Sequence, residues 1–374
     1  MGQGISSPPL SLYIHIPFCL SRCGYCSFFS LPYSQSALEE YLRALHIELK
    51  LYQNYLDKPL ASIYLGGGSP SLLSPSQING ILDALTWNET AEITLEINPI
   101  QITAQFVSEL KQSPINRLSI GLQSMDDAQL KWLDRRHKAD DMLYRMELCR
   151  NAGFDNISLD FMYGLPNVEI GDVTSNLEAY MMLNPDHISA YLLCLDEGCA
   201  RHEQGIYLPD DDRVEAEYSK LCEVITDNGY VQYEISNFAR QGRESLHNLA
   251  YWKSNSYLAL GASAAGWIPP IRYQNHSNLQ AYYNNVKDGM LFPNAVHCDA
   301  KRQEEDFIMM GLRLLQGISL DVYKQRFGRE LLDVYAKQID KLKQIGMLEL
   351  DGKYLCLSRA GLFVSNSVIA ELIL

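Results

Sequence analysis

The chain has 374 residues, 47% of them apolar, enough to build one large domain and a smaller one around buried cores. A formal charge of −14, from 31 basic and 45 acidic residues, makes the chain a poor non-specific nucleic-acid binder, because phosphate contact needs clustered Lys and Arg. No apolar run approaches the roughly 18 uncharged residues of a membrane-spanning helix.

The opening "MGQGISSPPLSLYIHI" lacks the basic and long apolar regions of a signal peptide. It fits the Met-Gly-x-x-x-Ser acylation pattern, read here as a chance match because no polybasic segment follows. Nine cysteines is an odd count without the dense spacing of a disulfide framework, which points to a reducing, cytoplasmic compartment. Cys149, Cys194, Cys222 and Cys356 read as small buried side chains.

In chain order, "SLYIHI" (11–16) is a strand leading into a cysteine-rich loop, and 36–56 has helical periodicity. "SIYLGGG" (62–68) is a strand and turn. Residues 74–85 form a helix, with Ser74 as N-cap and Pro75 in the first turn. Strands follow at 92–97, 117–123, 156–164 and 187–193. Helices lie between them at 103–113, 126–133, 140–153 and 173–183, and Gly153 is a C-cap candidate. Six strand–helix steps predict an α/β fold, a partial (β/α)6 barrel of parallel strands. Eight steps would close a full barrel. A helix (212–228) and a Tyr-rich stretch (230–275) come next. From about 297 the pattern becomes a small, mostly helical, winged-helix-like domain ending in a hairpin around Asp351–Gly352. The expected divisions are 1–200, 201–296 and 297–374.

In such folds ligands sit at the carboxyl ends of strands. "HIPFCLSRCGYCSFF", "GGGSP", "EINP" and "GLQS" all follow strands and should share one mouth. Cys19, Cys23 and Cys26 fall within eight residues. Structural zinc takes four protein ligands, and Ser27 follows Cys26 where a fourth could stand. Three thiols on a four-iron cluster leave one iron open. Buried thiols or a zinc loop are the alternatives. His137 reads as a surface histidine at a helix end and His187 as a structural one at a strand start. His15 reads as a backbone-bonded histidine below the loop.

Cys19-x3-Cys23-x2-Cys26, with Tyr25 before the last thiol, resembles the radical S-adenosylmethionine (SAM) signature. "YIHIPFC", "LGGGSPSLL", "EINP", "NRLSIGLQS", "DFMYGLP", "HISAY", "YEISNFAR", "HNLAYW" and "GLRLLQGI" narrow the resemblance. They are similar to the oxygen-independent coproporphyrinogen III oxidase-like proteins, and within these to HemW-type haem chaperones. The resemblance spans nearly the whole chain. It implies a 4Fe–4S cluster on Cys19, Cys23 and Cys26, and SAM contacts from Tyr13, Tyr25, Gly67, Gly68, Ser69 and Glu96. Gln123, Arg135, Asp160 and Ala190 match positions for a second SAM in the oxidase branch.

In "HNLAYW", His247, Asn248, Tyr251 and Trp252 group polar and aromatic side chains. On the residues alone this is an aromatic core corner with a satisfied histidine. The resemblance makes it a haem site, with His247 as ligand. Two departures stand out. The oxidase branch carries a further cysteine just after the three, where this chain has Ser27 and Phe28. Relatives carry Gly-Ala-His-Gly after the aromatic motif, where this chain has Ser263 for the first glycine and Ala265 for the histidine.

The resemblance thus implies a haem chaperone that passes haem to an acceptor protein, with an electron donor if SAM is cleaved. The alternatives are a radical SAM oxidoreductase that decarboxylates coproporphyrinogen III to protoporphyrinogen IX, and a zinc-stabilised scaffold.

Overall fold

The computed structural model describes residues 9–373. The acylation pattern at Met1–Ser6 lies outside them. Six parallel strands appear in the expected order: β1 (Ser11–Ile16), β2 (Leu60–Gly67), β3 (Trp87–Ile97), β4 (Arg117–Gln123), β5 (Ile157–Tyr163) and β6 (His187–Leu192). Helices connect them. Helix Pro75–Leu82 starts at Ser74, whose side chain accepts from Gln77 N in a capping box.

The rest of the main sheet comes from the stretch after 230. Strands β7 (Val231–Gln232) and β8 (Asn237–Ala239) extend the β6 edge antiparallel. On the other edge β9 (Tyr257–Leu260) adds a seventh parallel strand beside β1. Then β10 (Ala265–Ile268), β11 (Ile271–Gln274) and β12 (Val296–His297) continue antiparallel. The twelve strands run from β12 to β7 without closing into a ring. Four residues, "YLAL", are too few to show a period, so β9 was not legible as a strand.

Alternation along the parallel strands decides what each face does. Leu12, Ile14, Ile63, Leu65, Ile93, Leu95, Leu118, Ile120, Leu159 and Ile188 are buried in the core beneath the outer helices. The intervening residues, polar or aromatic, face the concave side. A second core, from Phe307 to Leu372, holds the carboxyl-terminal segment together. Its three-stranded sheet pairs Ile318–Ser319, Tyr354–Leu357 and Leu348–Asp351. The hairpin expected at the end of the chain is not terminal, because helices Arg359–Phe363 and Ser365–Ile373 follow it. Val368, Ile369 and Leu372 join this core, which explains the added helices.

The amino-terminal foot of the barrel is plugged by helix Leu246–Trp252, the "HNLAYW" segment. Glu92 on β3, only 5% exposed, accepts from Ser245 Oγ at 3.2 Å, Leu246 N at 3.0 Å and His247 N at 3.1 Å. The Arg117 guanidinium lies 3.8 Å away, equally buried. A carboxylate at a helix amino terminus meets unpaired N–H groups and the positive end of the dipole. Replacing Glu92 by Ala leaves Arg117 and those N–H groups without a partner in a dry interior. We predict that Glu92→Ala lowers stability by about 3–5 kcal/mol, read from urea denaturation, with a smaller loss for Glu92→Gln.

Candidate functional site

The cysteine loop leaves β1 and is tied down at several points. Phe18–Cys19 pairs in parallel with Leu31–Pro32, so both ends of the loop are held together. Gly24 N donates to Asp134 Oδ2 at 3.0 Å, and Arg201 N donates to Gly24 O at 2.9 Å. Arg22 donates from Nε and Nη2 to the Cys26 carbonyl at 3.2 and 3.0 Å. His15 reaches the Phe29 carbonyl through Nε2 at 3.0 Å. Cys19, Cys23 and Cys26 are all half-buried and free. Burial raises the thiol pKa of Cys19 and Cys26. A bound metal reverses that cost by stabilising the thiolate.

These thiols face a cavity of about 400 Å³ at the carboxyl ends of the strands. Tyr25, Gly67, Gly68, Ser69, Glu96, Gln123, Arg135 and Asp160 line it too. The sequence expectation thus brings eleven positions to one wall-enclosed space, the three thiols included. Glu96 accepts from Tyr64 OH at 2.9 Å and Gly67 N at 3.0 Å, one partner on each oxygen. Burial pushes its pKa up to about 6, and burial with the nearby Glu96 charge pushes Asp160 to about 7.

The glycine run is required by packing. Gly67 has φ +121, and a Cβ there would meet the His15 ring at 2.7 Å. A Cβ on Gly68 would meet the Phe18 carbonyl at 2.8 Å and Cys19 Sγ at 3.0 Å. The backbone therefore passes directly against the cysteine loop. Two buried polar atoms in the cavity wall, Gln123 Oε1 and Arg135 Nε, have no partner within the protein. Unmatched polar atoms beside three thiols fit a polar ligand seated next to a cluster.

Two expected contacts lie elsewhere. Ala190 is 1% exposed and packed in the core on the helix-covered face. Strand alternation turns its neighbour Tyr191 into the cavity instead. Tyr13 faces a second cavity, of about 440 Å³, and its hydroxyl bonds His15 Nδ1 at 2.9 Å.

That second cavity is bordered by β1, β9, β10 and the carboxyl-terminal segment. Tyr251 and Trp252 line it, with Tyr257, Trp267, Arg272, Met310 and Arg326. His247 and Asn248 line neither cavity. His247 is 1% exposed, with Nδ1 bonded to Ser62 Oγ at 2.9 Å and Nε2 to Tyr251 OH at 2.7 Å. Burial, with help from Arg117, lowers its pKa to about 3. Both ring nitrogens are thus engaged, and the expected iron ligand is a floor residue in this structure. Ala265, where the resemblance implies a histidine, does line the cavity and is exposed. Ser263 holds a left-handed φ of +68, which suits the glycine that the resemblance implies there. Phe28, in the cysteine loop, borders both cavities.

The remaining histidines and cysteines sort as follows. His187 is buried between Ser158 Oγ at 2.8 Å and Tyr233 OH at 2.9 Å, a structural role. His137 is 4% exposed, so it belongs to the interior and not to the surface. Cys194, expected to be buried, is exposed and lines the thiol cavity. It stands just beyond the end of β6, where the strand opens into a loop.

The radical SAM superfamily profile matches residues 13–178, and the HemN C-terminal domain profile matches 299–364. The heme chaperone HemW of Lactococcus lactis is 30% identical, covering 98% of each chain. That of Bacillus subtilis is 31% identical, covering 96% of this chain and 97% of its own. The chain belongs to the HemW family. A bovine relative, radical S-adenosyl methionine domain-containing protein 1, mitochondrial, is 32% identical and covers 97% of this chain and 87% of its own. The solved structure of Escherichia coli coproporphyrinogen III oxidase (HemN) superposes with a TM-score of 0.86 at 22% identity. It covers 98% of this chain and 90% of its own, and shares the fold. Membership of the superfamily implies a 4Fe–4S cluster and SAM. No helix among the described residues is long and apolar enough to cross a membrane.

Asp134 links the tip of the cysteine loop to Arg201, whose Nη2 lies 3.3 Å from Asp134 Oδ1. Removing it frees Gly24 N and loosens the loop. We predict that Asp134→Ala, after anaerobic reconstitution, retains fewer irons per chain and loses its cluster faster in air than wild type, with an unchanged melting profile.

Proposed function

We propose that this HemW-family chain is a haem chaperone that carries its cluster and SAM beside a haem site. The observation that carries this reading is the aromatic cavity next to the thiol cavity, with Phe28 on the wall of both. Relatives named heme chaperone at 30–31% identity over nearly the full chain support it.

Cys19, Cys23 and Cys26 would hold the cluster. Three thiolates would leave the cluster one position without a protein ligand, and a bound cluster would supply one-electron chemistry beside SAM. Each Glu96 oxygen retains a second acceptor position beyond its partners Tyr64 and Gly67, suited to ribose hydroxyls. Gln123 Oε1 and Arg135 Nε would gain the partners they lack. Tyr251, Trp252, Tyr257 and Trp267 provide flat apolar walls for a porphyrin. All nine cysteines are free, in keeping with a cytoplasmic chain. An acceptor protein and an electron donor complete the scheme.

Coproporphyrinogen decarboxylation is the competing reading. Ser27 and Phe28 stand where the oxidase branch carries a further cysteine near the cluster, which disfavours it. The test combines two measurements on anaerobically reconstituted protein. Titration with haem should give a saturable Soret change. Incubation with SAM, a reductant and coproporphyrinogen III should yield no protoporphyrinogen. Ala265→His should shift the Soret band by placing an imidazole in the aromatic cavity. His247→Ala should alter stability and leave the band position unchanged. Protoporphyrinogen formation by the unmodified chain contradicts the reading, as does the absence of saturable haem binding.

A further inference from the structure

The aromatic cavity has an unusual polar corner. Arg326 projects into it from helix Leu320–Phe327 of the carboxyl-terminal segment. Its guanidinium packs over Phe307 and Phe327, 5.3 and 5.8 Å from their ring centres. Its Nη1 and Nη2 both donate to one acceptor, the Ser254 carbonyl, at 3.2 Å. The other cavity arginine differs: Arg272 donates to Asp306 Oδ2 at 2.8 Å, and Asp306 also lies 3.6 Å from Arg302. Arg272 is thus neutralised within the protein. Arg326 is held by a neutral carbonyl, and burial lowers its pKa with no carboxylate to offset the cost.

Two further polar groups beside Arg326 lack partners. Ser254 is 9% exposed, and its Oγ is buried without a hydrogen bond. Trp252 Nε1 is also buried without one. Ser254 holds φ +51, a conformation that L residues other than glycine adopt at a cost. Trp252, Ser254 and Arg326 all line the cavity, so an indole N–H, a hydroxyl and a guanidinium with no carboxylate partner form a set of donors at its border. Leaving such groups dry and unmatched is costly, so the set calls for an acceptor brought in from outside. The cavity around them is apolar and flat-walled, and Trp267 and Tyr257 lie across it.

We propose that Arg326, Trp252 Nε1 and Ser254 Oγ form a carboxylate subsite that takes a propionate of haem, while the aromatic walls cover the macrocycle. This deepens the haem reading of the preceding section and rests on it. A guanidinium matches a carboxylate in geometry and charge, and in a dry site such a bond exceeds a neutral one. It also gives the carboxyl-terminal segment a role in ligand capture, because Arg326 closes the cavity from that side.

The test uses the full-length chain and two probes, haemin and haemin dimethyl ester, titrated at the Soret band. The ester keeps the macrocycle and iron but blocks both carboxylates. Wild type should prefer haemin. Arg326→Gln should weaken haemin binding roughly tenfold or more and leave the ester unchanged, abolishing the preference. Trp252→Phe removes only the N–H and keeps the aromatic wall, so it should weaken haemin about threefold through one lost hydrogen bond. Arg326→Lys should recover part of the loss. Circular dichroism melts report whether each variant folds, and Trp252→Phe provides the reading if Arg326→Gln does not. A preference for haemin that persists in Arg326→Gln, or that is undiminished in Trp252→Phe, overturns the subsite and leaves haem binding standing. If wild type binds neither probe, the haem reading itself falls and the subsite falls with it.

Discussion

Glu92 places a carboxylate at the foot of the barrel, where its burial demands matching charge and hydrogen bonds. Arg117 supplies the charge, and the amino end of helix Leu246–Trp252 supplies the donors. Much of the concave interior depends on this arrangement. The helix enters the barrel from below, His247 seals against Ser62 and Tyr64, and Tyr233 joins Ser245 to His187. With the floor closed, the inward side chains higher on the strands are left to line open space. The cysteine loop covers that space from above.

The same floor creates the asymmetry between the two cavities. Toward β2–β6 the walls are strand ends carrying Glu96, Asp160 and Gln123, a polar lining suited to a charged cofactor. Toward β1 and β9 the floor helix turns Tyr251 and Trp252 outward, and the carboxyl-terminal segment closes over them. Phe28 sits on the wall between. It is largely exposed and marks their shared border. The two spaces are chemically distinct and need not share a ligand.

The six-strand pattern was legible because apolar and polar residues alternate clearly in strands such as "SLYIHI" and "EITLEI". The three thiols, the glycine run and Glu96 were legible because each follows a strand directly. Ala190 was misplaced because a motif names a segment, whereas period-two alternation decides which of its residues faces inward; Tyr191 was the inward one. His247 was misplaced for a related reason. A histidine among aromatic residues looks the same in sequence whether its nitrogens are open or, as here, held by Ser62 and Tyr251. Arg326, Ser254 and Met310 were not legible at all. They reach the aromatic cavity from separate elements, and no local spacing announces a contact between residues that tertiary packing brings together.

On the proposed function, cluster and haem would occupy two adjoining cavities over one floor. A crystal structure of the anaerobically reconstituted chain with SAM and haem tests it most directly. The expected result is a cluster on Cys19, Cys23 and Cys26, SAM against Glu96, and haem between Trp252 and Trp267 with Phe28 bordering both sites. Haem density in the thiol cavity, or on a surface away from Trp252, would contradict it.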